Sequence, residues 1–418
     1  MYYLVENGKQ LEQFKKYNYK EAFIEIIPYS NSTHPTKNNI CAFYIRPLLA
    51  NKGYILPISH SETQNLNINE VIELLKGYEI IQVRDKKEFI HYLPLKTLYD
   101  ITLPTPPYIP ELTNSHTYFY RLYPNDPTIN TIIPISKHYE YCEKIYNDLK
   151  DREIIDNKFF DTKASLVFNH IESNGLKINK ELFSDYFHKT DEDFVYTQYN
   201  FKTLTRRPSN VFDGVNYAAL SKSNGSRQCF IPRNDMLIEL DISAYHPTLL
   251  AKLVNYDFGE GDIHKAFAKM YNVEYKKAKE LTFKQLYGGI FNEYKELPFF
   301  KLVQEYTDKL WEKFQKDGYI ECPVSKWRIY KENISDPKPQ KILNYHLQNL
   351  ETSYNIHILG DVIKLLKGCK TKLILYTYDS ILLDASKEDK EIIKNIVQLF
   401  EKYKLQVKIC YGRTYNFG

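Results

Sequence analysis

No apolar run in this sequence approaches the eighteen or so residues that a membrane-spanning helix needs, so a chain without membrane segments is expected. The composition of a disordered chain is missing too. Hydrophobic residues make up 43% and charged residues 26%, enough apolar surface to offset the entropy of ordering. Six cysteines (Cys41, Cys142, Cys229, Cys322, Cys369, Cys410) stand far apart with no CxxC, which argues against a zinc ribbon or a disulfide framework and fits reduced intracellular thiols. The first ten residues, MYYLVENGKQ, lack the basic-then-apolar pattern of a secretory signal. The expected setting is the cytoplasm, or a host's cytoplasm for a virus- or plasmid-encoded protein. Charge of one sign is absent as well: 56 basic and 52 acidic side chains leave +4, which alone does not point to nucleic acid. Tyrosine is abundant, at 37, and with so much Lys, Ile and Asn it fits an AT-rich coding bias more simply than chemistry. The 418 residues suffice for two or three domains.

The apolar runs Ala22–Ile27, Cys41–Ile45 and Gly53–Ile58 read as strands separated by Asn, Pro and Gly clusters. A helix over Ile68–Leu75, ended by Gly77, and a strand over Tyr78–Val83 complete an α/β unit of about a hundred residues. Pro104, Pro106, Pro107 and Pro110 then suggest a linker. Residues 138–190 look helical, with Gly175 at a helix C-terminus; 205–235 look loop-rich; 262–318 and Asn344–Lys367 look helical again. Leu237–Asp241 reads as a strand ending in a carboxylate. Lys372–Leu383 reads as a hairpin turning at Asp379, followed by a helix over Glu388–Lys404 and a strand over Gln406–Tyr411.

A carboxylate just past a buried strand is costly unless it is paired or holds a metal. Two that converge suit a pair of Mg²⁺ ions bridging to phosphates, although each could equally cap a turn. Lys279, Phe283 and Tyr287 lie four residues apart, so a helix sets them on one face: a row able to meet a triphosphate and stack on a base, or simply an amphipathic core face.

These segments together resemble the family A DNA polymerases. Lys279, Phe283, Tyr287 and Gly288 match the K-x3-F-x3-Y-G of the fingers helix, and Asp262-Ile263-His264 resembles the D-x-H before it. Leu240-Asp241-Ile242-Ser243 is similar to the first palm motif, Tyr378-Asp379-Ser380 to the third, and Asn344 with Gln348 to the N-x3-Q of the palm helix. Thr205-Arg206-Arg207, Asn216 and Arg227-Gln228-Cys229-Phe230 resemble the T-G-R, N and R-Q-x-F segments, and Ile171–Asn179 the stretch at the base of the thumb.

The resemblance implies an α+β right-hand polymerase: a palm with an antiparallel sheet, helical fingers and a much reduced thumb, preceded by a small α/β exonuclease-like domain. The implied boundaries are 1–150 (exonuclease-like, inactive), 151–210 (residual thumb and connector), 211–256 and 344–418 (palm), and 257–343 (fingers). It implies two Mg²⁺ ions held by Asp241, Asp379 and the Ile242 carbonyl, with Lys279 joining the aspartates in catalysis. Ile242, His246, His264, Lys276, Lys279, Phe283 and Tyr287 would contact the nucleotide. Arg207, Asn216, Arg227, Asn344 and Gln348 would contact DNA. The implied partners are primer–template DNA, dNTPs and a processivity or replisome factor.

Several departures qualify this. His246 stands where the family has the Glu that rejects ribonucleotides. Ser380 stands where Glu usually follows the Asp; single-subunit RNA polymerases have Ser there. Tyr275, beside Lys276 and Lys277, replaces an Arg that grips the γ-phosphate. Between Asn179 and Thr205 too little chain remains for a thumb, which predicts weak, salt-sensitive DNA binding. In the first domain the D-x-E of an exonuclease is replaced by Phe23–Ile27, which carries Glu25; Asp85 resembles a remnant of the middle motif, and Tyr139 with Glu143 matches Y-x3-D loosely. A template-directed RNA polymerase or primase-like enzyme therefore stays open, as does a non-catalytic nucleic-acid scaffold.

Overall fold

Apolar strands with no polar alternation must be covered on both faces, and the first sheet is. The computed structural model describes residues 2–95, 98–101, 129–151 and 159–417. The proline-rich stretch from Pro104 to Pro110 lies outside them. The chain divides into two units, Met1–Ser173 and Asn174–Gly418.

In the first unit six strands, β1 (Tyr3–Leu4), β2 (Glu21–Pro28), β3 (Ile40–Pro47), β4 (Tyr54–Pro57), β5 (Ile80–Val83) and β6 (Leu98–Asp100), form one mixed sheet in the order β1-β4-β3-β2-β5-β6. Helices α1 (Gly8–Lys15), α2 (Ile68–Lys76) and α3 (Lys86–Tyr92) bury Leu11, Phe14, Val71, Leu75 and Phe89 against one face, where Ala22, Ile24, Phe43 and Ile45 point. Helix α4 (Ile135–Leu149) buries Tyr141, Cys142 and Ile145 against the other, with Phe23, Ile27, Cys41 and Tyr44.

Two carboxylates of this unit are engaged by internal partners. Glu25 is buried in β2, and both Nε and Nη2 of Arg84 donate to its Oε1. One oxygen of Glu143 on α4 accepts from the Tyr44 hydroxyl at 2.7 Å, the Gly53 amide at 2.8 Å and Arg46 at 2.9 Å. Asp85 caps α3 by accepting from the Glu88 amide.

Helix α5 (Ser165–Asn174) leads to the second unit and ends at Gly175, whose φ of +61° is left-handed; a Cβ there would stand 2.8 Å from the Tyr196 ring. Short elements follow: β7 (Leu176–Ile178), α6 (Lys180–Tyr186), β8 (Phe194–Val195), β9 (Tyr199–Asn200), β10 (Ser209–Phe212), β11 (Val215–Asn216) and β12 (Phe230–Ile231). The central sheet is antiparallel, β16 (Lys372–Thr377), β17 (Ser380–Ala385), β13 (Met236–Ile242) and β18 (Val407–Gly412), in that order.

Helix α7 (Tyr245–Leu253) follows β13 directly. Asp262 caps α8 (Ile263–Tyr271), accepting from the His264 and Lys265 amides; Asn272 in left-handed geometry ends it, and α9 (Tyr275–Gly288) follows. Pro298 at the first position starts α10 (Pro298–Asp317), and Gly318 at φ +76° stops it. The hairpin β14 (Tyr319–Glu321) and β15 (Arg328–Tyr330) leads to α11 (Pro339–Leu365), which contacts α7, α9, α10 and α12 (Lys390–Lys402). Surrounded in this way, α11 buries polar residues as well, among them Asn349, Glu351 and Asn355.

Breaking a buried ion pair strands one charge, so Arg84→Met is expected to cost about 3–5 kcal/mol, most of it recovered by adding Glu25→Leu. Urea unfolding of both variants checks this; an equal loss in single and double variants would show that the stranded carboxylate is not the cause.

Candidate active site

Strand β13 carries Asp241 one residue before its end, and the β16–β17 hairpin turns through Tyr378 and Asp379. Asp241 pairs in register with Ser380, and the Ile242 amide donates to the Asp379 carbonyl at 2.7 Å, so the ladder itself brings the two aspartates together. Tyr378 adopts φ +57°, a strained conformation for a bulky residue. It is held there by Asn355, whose amide donates to the Tyr378 carbonyl at 2.6 Å, and by the Arg207 guanidinium 3.9 Å above its ring.

Burial pushes Asp379 up to about 6; Asp241 and then Glu351 add to the rise, against its backbone hydrogen bond and Arg207. Lys222 stands 3.9 Å from Asp241 but is mostly exposed, so its charge is well screened.

Beside the aspartates runs a buried relay. Glu351 on α11 accepts from His246 Nε2 at 2.6 Å, and the Arg207 guanidinium lies 3.7 Å from its other oxygen. A carboxylate only accepts, so His246 Nε2 carries the hydrogen, and Nδ1 accepts from the Tyr287 hydroxyl at 2.6 Å. Burial, then Glu351, pushes the Tyr287 phenol up to about 12. On α9 Phe283 stacks on Tyr287, ring centroids 5.8 Å apart, and is itself 42% exposed, an open aromatic face. Lys279 is exposed one turn earlier and Lys276 nearer the helix start. His264 is buried with its Nδ1 unpartnered, and burial and then Lys279 hold its imidazole below the usual histidine range.

Asp241, Ile242, Asp379, His246, Tyr287 and Arg207 thus meet at one place, with Phe283, Lys279 and His264 on the adjoining helix pair. The remaining predicted residues have other partners or none. Arg227 is buried over the Tyr415 ring, donates to the Leu220 carbonyl and lies 3.7 Å from Glu239. Asn216 is exposed on β11. Gln348 accepts from the Thr205 hydroxyl, and Asn344 Oδ1 is buried without a partner. Glu351 and Asn355 were missed in the sequence. The signal for Glu351 was present: Asn344, Gln348 and Glu351 stand at i, i+4 and i+7, one helix face.

The pKa of Asp379 gives a signed stability prediction. Its folded value lies above the unfolded one, so the stabilisation is complete below about pH 4 and is lost as pH rises through about 6. Asp379→Asn, which cannot ionise, is expected to melt a few degrees higher than the parent at about pH 8 in chelator, with the gap closing toward about pH 4. A gap of equal size at both pH values in thermal melts would refute the raised pKa of Asp379.

No family model and no curated protein matches this chain. Among solved structures it is similar to the POL domain of Pol1 from M. smegmatis, in complex with DNA primer-template and dNTP, with a TM-score of 0.70, 13% sequence identity and 99% of each chain covered. At that identity the likeness is one of fold: the chain has the mixed α/β fold of a family A DNA polymerase domain.

Proposed function

We propose that this protein is a template-directed DNA polymerase that adds dNTPs to a primer 3′ end. The observation that carries the reading is the convergence of Asp241 and Asp379 beside the Lys279–Phe283–Tyr287 row within this fold. On this reading residues 211–256 and 344–418 are the palm, 257–343 the fingers, 151–210 a connector with a vestigial thumb, and 1–150 an exonuclease-like domain.

The donor set fits Mg²⁺. Two carboxylates and the Ile242 carbonyl are hard oxygens, and a cation would compensate the Asp379 charge that burial, and then Asp241 and Glu351, disfavour. Asp241, Asp379 and Ile242 would hold two such ions, which supply electrostatic stabilisation of charge growing on the phosphate oxygens. The chain's own residues do the rest. Lys279 offers an exposed ammonium to the triphosphate; Phe283 offers its face to the incoming nucleotide, with Lys276 and His264 nearby. Arg207, Asn216, Asn344 and Gln348 are read as contacts to primer–template, and the buried Arg227 as bracing the loop that leads to β13.

His246 occupies the sugar-selecting position. Held at both ring nitrogens, it cannot swing aside without breaking two short hydrogen bonds, which favours deoxyribonucleotides over the RNA polymerase or primase-like reading. Proofreading is not expected, because Glu25 is neutralised by Arg84 and Glu143 already accepts from three donors. A reduced thumb implies low processivity, low-salt dependence and a partner that clamps DNA.

Extension of a labelled primer with Mg²⁺ at low salt is expected with dNTPs, and is expected to fall at least a hundredfold in Asp241→Ala and Asp379→Ala at unchanged DNA binding, with no trimming of a mismatched 3′ end. Parent-like extension by either variant sinks the catalytic reading; binding without any extension favours the scaffold. Glu351→Leu removes the acceptor of His246 Nε2 and is expected to reduce dNTP-over-rNTP preference about tenfold, or about 1.4 kcal/mol. An unchanged ratio of kcat/KM values would remove His246 and Glu351 from sugar selection.

A further inference from the structure

Far from the aspartates in sequence, the first unit gathers three metal-ligating side chains. Cys41 lies at the start of β3, His60 just after β4, and His138 in the first turn of α4. All three are buried, and one ligand atom from each lies within 4.8 Å of the other two. We propose that Cys41, His60 and His138 form a zinc-binding site.

The hydrogen bonds around the rings support this. His60 Nε2 is 2.8 Å from the Ile133 carbonyl, and His138 Nε2 is 2.8 Å from the Asn130 carbonyl. Carbonyls only accept, so both Nε2 atoms carry the hydrogen and both Nδ1 atoms present a lone pair. An outer nitrogen anchored on a carbonyl with the inner one bare is how ligating imidazoles are oriented. His138 Nδ1 is fully buried and has no hydrogen-bond partner, an acceptor with nothing to accept. His60 Nδ1 accepts from the Glu62 amide at a long 3.2 Å, a bond that a metal would displace.

One thiolate and two imidazoles are a ligand set that zinc takes, with bonds of about 2.0–2.3 Å that put neighbouring ligand atoms roughly 3.3–3.6 Å apart. Closing the site therefore takes side-chain shifts of about 1 Å. The thiol proton leaves to solvent as the Zn–S bond forms. Among the described residues the cluster holds these three ligands, and a water would complete the tetrahedron. Bound there, zinc would tie β3, the loop after β4 and the start of α4 into one joint.

The test uses the full chain, stripped with chelator, then dialysed with Zn²⁺ or with Co²⁺ as a spectroscopic probe. One retained zinc per chain is expected, together with a thiolate-to-cobalt charge-transfer band that the palm aspartates cannot produce. Cys41→Ser and Cys41→Ala are both expected to abolish the band while Cys229→Ser keeps it, and His138→Gln is expected to weaken cobalt at least tenfold. Circular dichroism of the metal-free variants confirms that at least one of the Cys41 substitutions folds. Cobalt bound without charge transfer, a band that survives both Cys41 substitutions, or no zinc retained by the parent would each overturn the proposal.

Discussion

The burial of Asp379, with Asp241 and Glu351 as carboxylate neighbours, is the constraint around which the second unit is organised. Burial disfavours its charge first and the neighbouring carboxylates add to that, while Arg207 is the fixed cation that opposes them. The arrangement survives because two of the carboxylates cannot move apart. Asp241 is fixed by a ladder with β17 on one side and β18 on the other, and Asp379 by a turn whose strained Tyr378 is clamped by Asn355. Glu351 is different: His246 and Arg207 compensate it, so it acts as an anchor and leaves the aspartate pair as the uncompensated charge.

Placing Arg207 takes a loop of its own. The Thr205 hydroxyl bonds Gln348, Asn349 donates to the Thr205 carbonyl, and the Trp327 indole donates to the Leu204 carbonyl. Arg206 lies 3.6 Å over the Trp327 ring in a left-handed conformation. The T-G-R segment that Thr205-Arg206-Arg207 resembles has glycine at that position, where positive φ is free. Here cation–π contact with Trp327 offsets the strain that an arginine brings.

Much of this was legible in the sequence because it obeys local rules. Strands of unbroken apolar residues, Gly175 after a helix, a carboxylate at a strand end and a row at four-residue spacing each left a mark in one short window. What stayed hidden depends on distant chain segments. Glu351 left only its shared helix face with Asn344 and Gln348, in a helix buried on nearly every side, and its partners His246 and Arg207 lie far away in the chain. Arg227 lies buried over Tyr415, a partner so far along the chain that no short window shows it. Cys41, His60 and His138 come from a strand, a loop and a helix, and no ligand spacing betrays them.

The strand order has a consequence in time. β13 sits between β17 and β18, so the edges of the Asp241 strand stay unpaired until residues as late as 407–412 have been made. At a synthesis rate of about 5–20 residues per second, that leaves an apolar strand waiting for roughly ten seconds or more. Such a strand is a template for wrong partners. The nascent chain therefore carries its greatest aggregation hazard at the Asp241 strand, and it brings Asp241 and Asp379 together among its last folding events rather than its first.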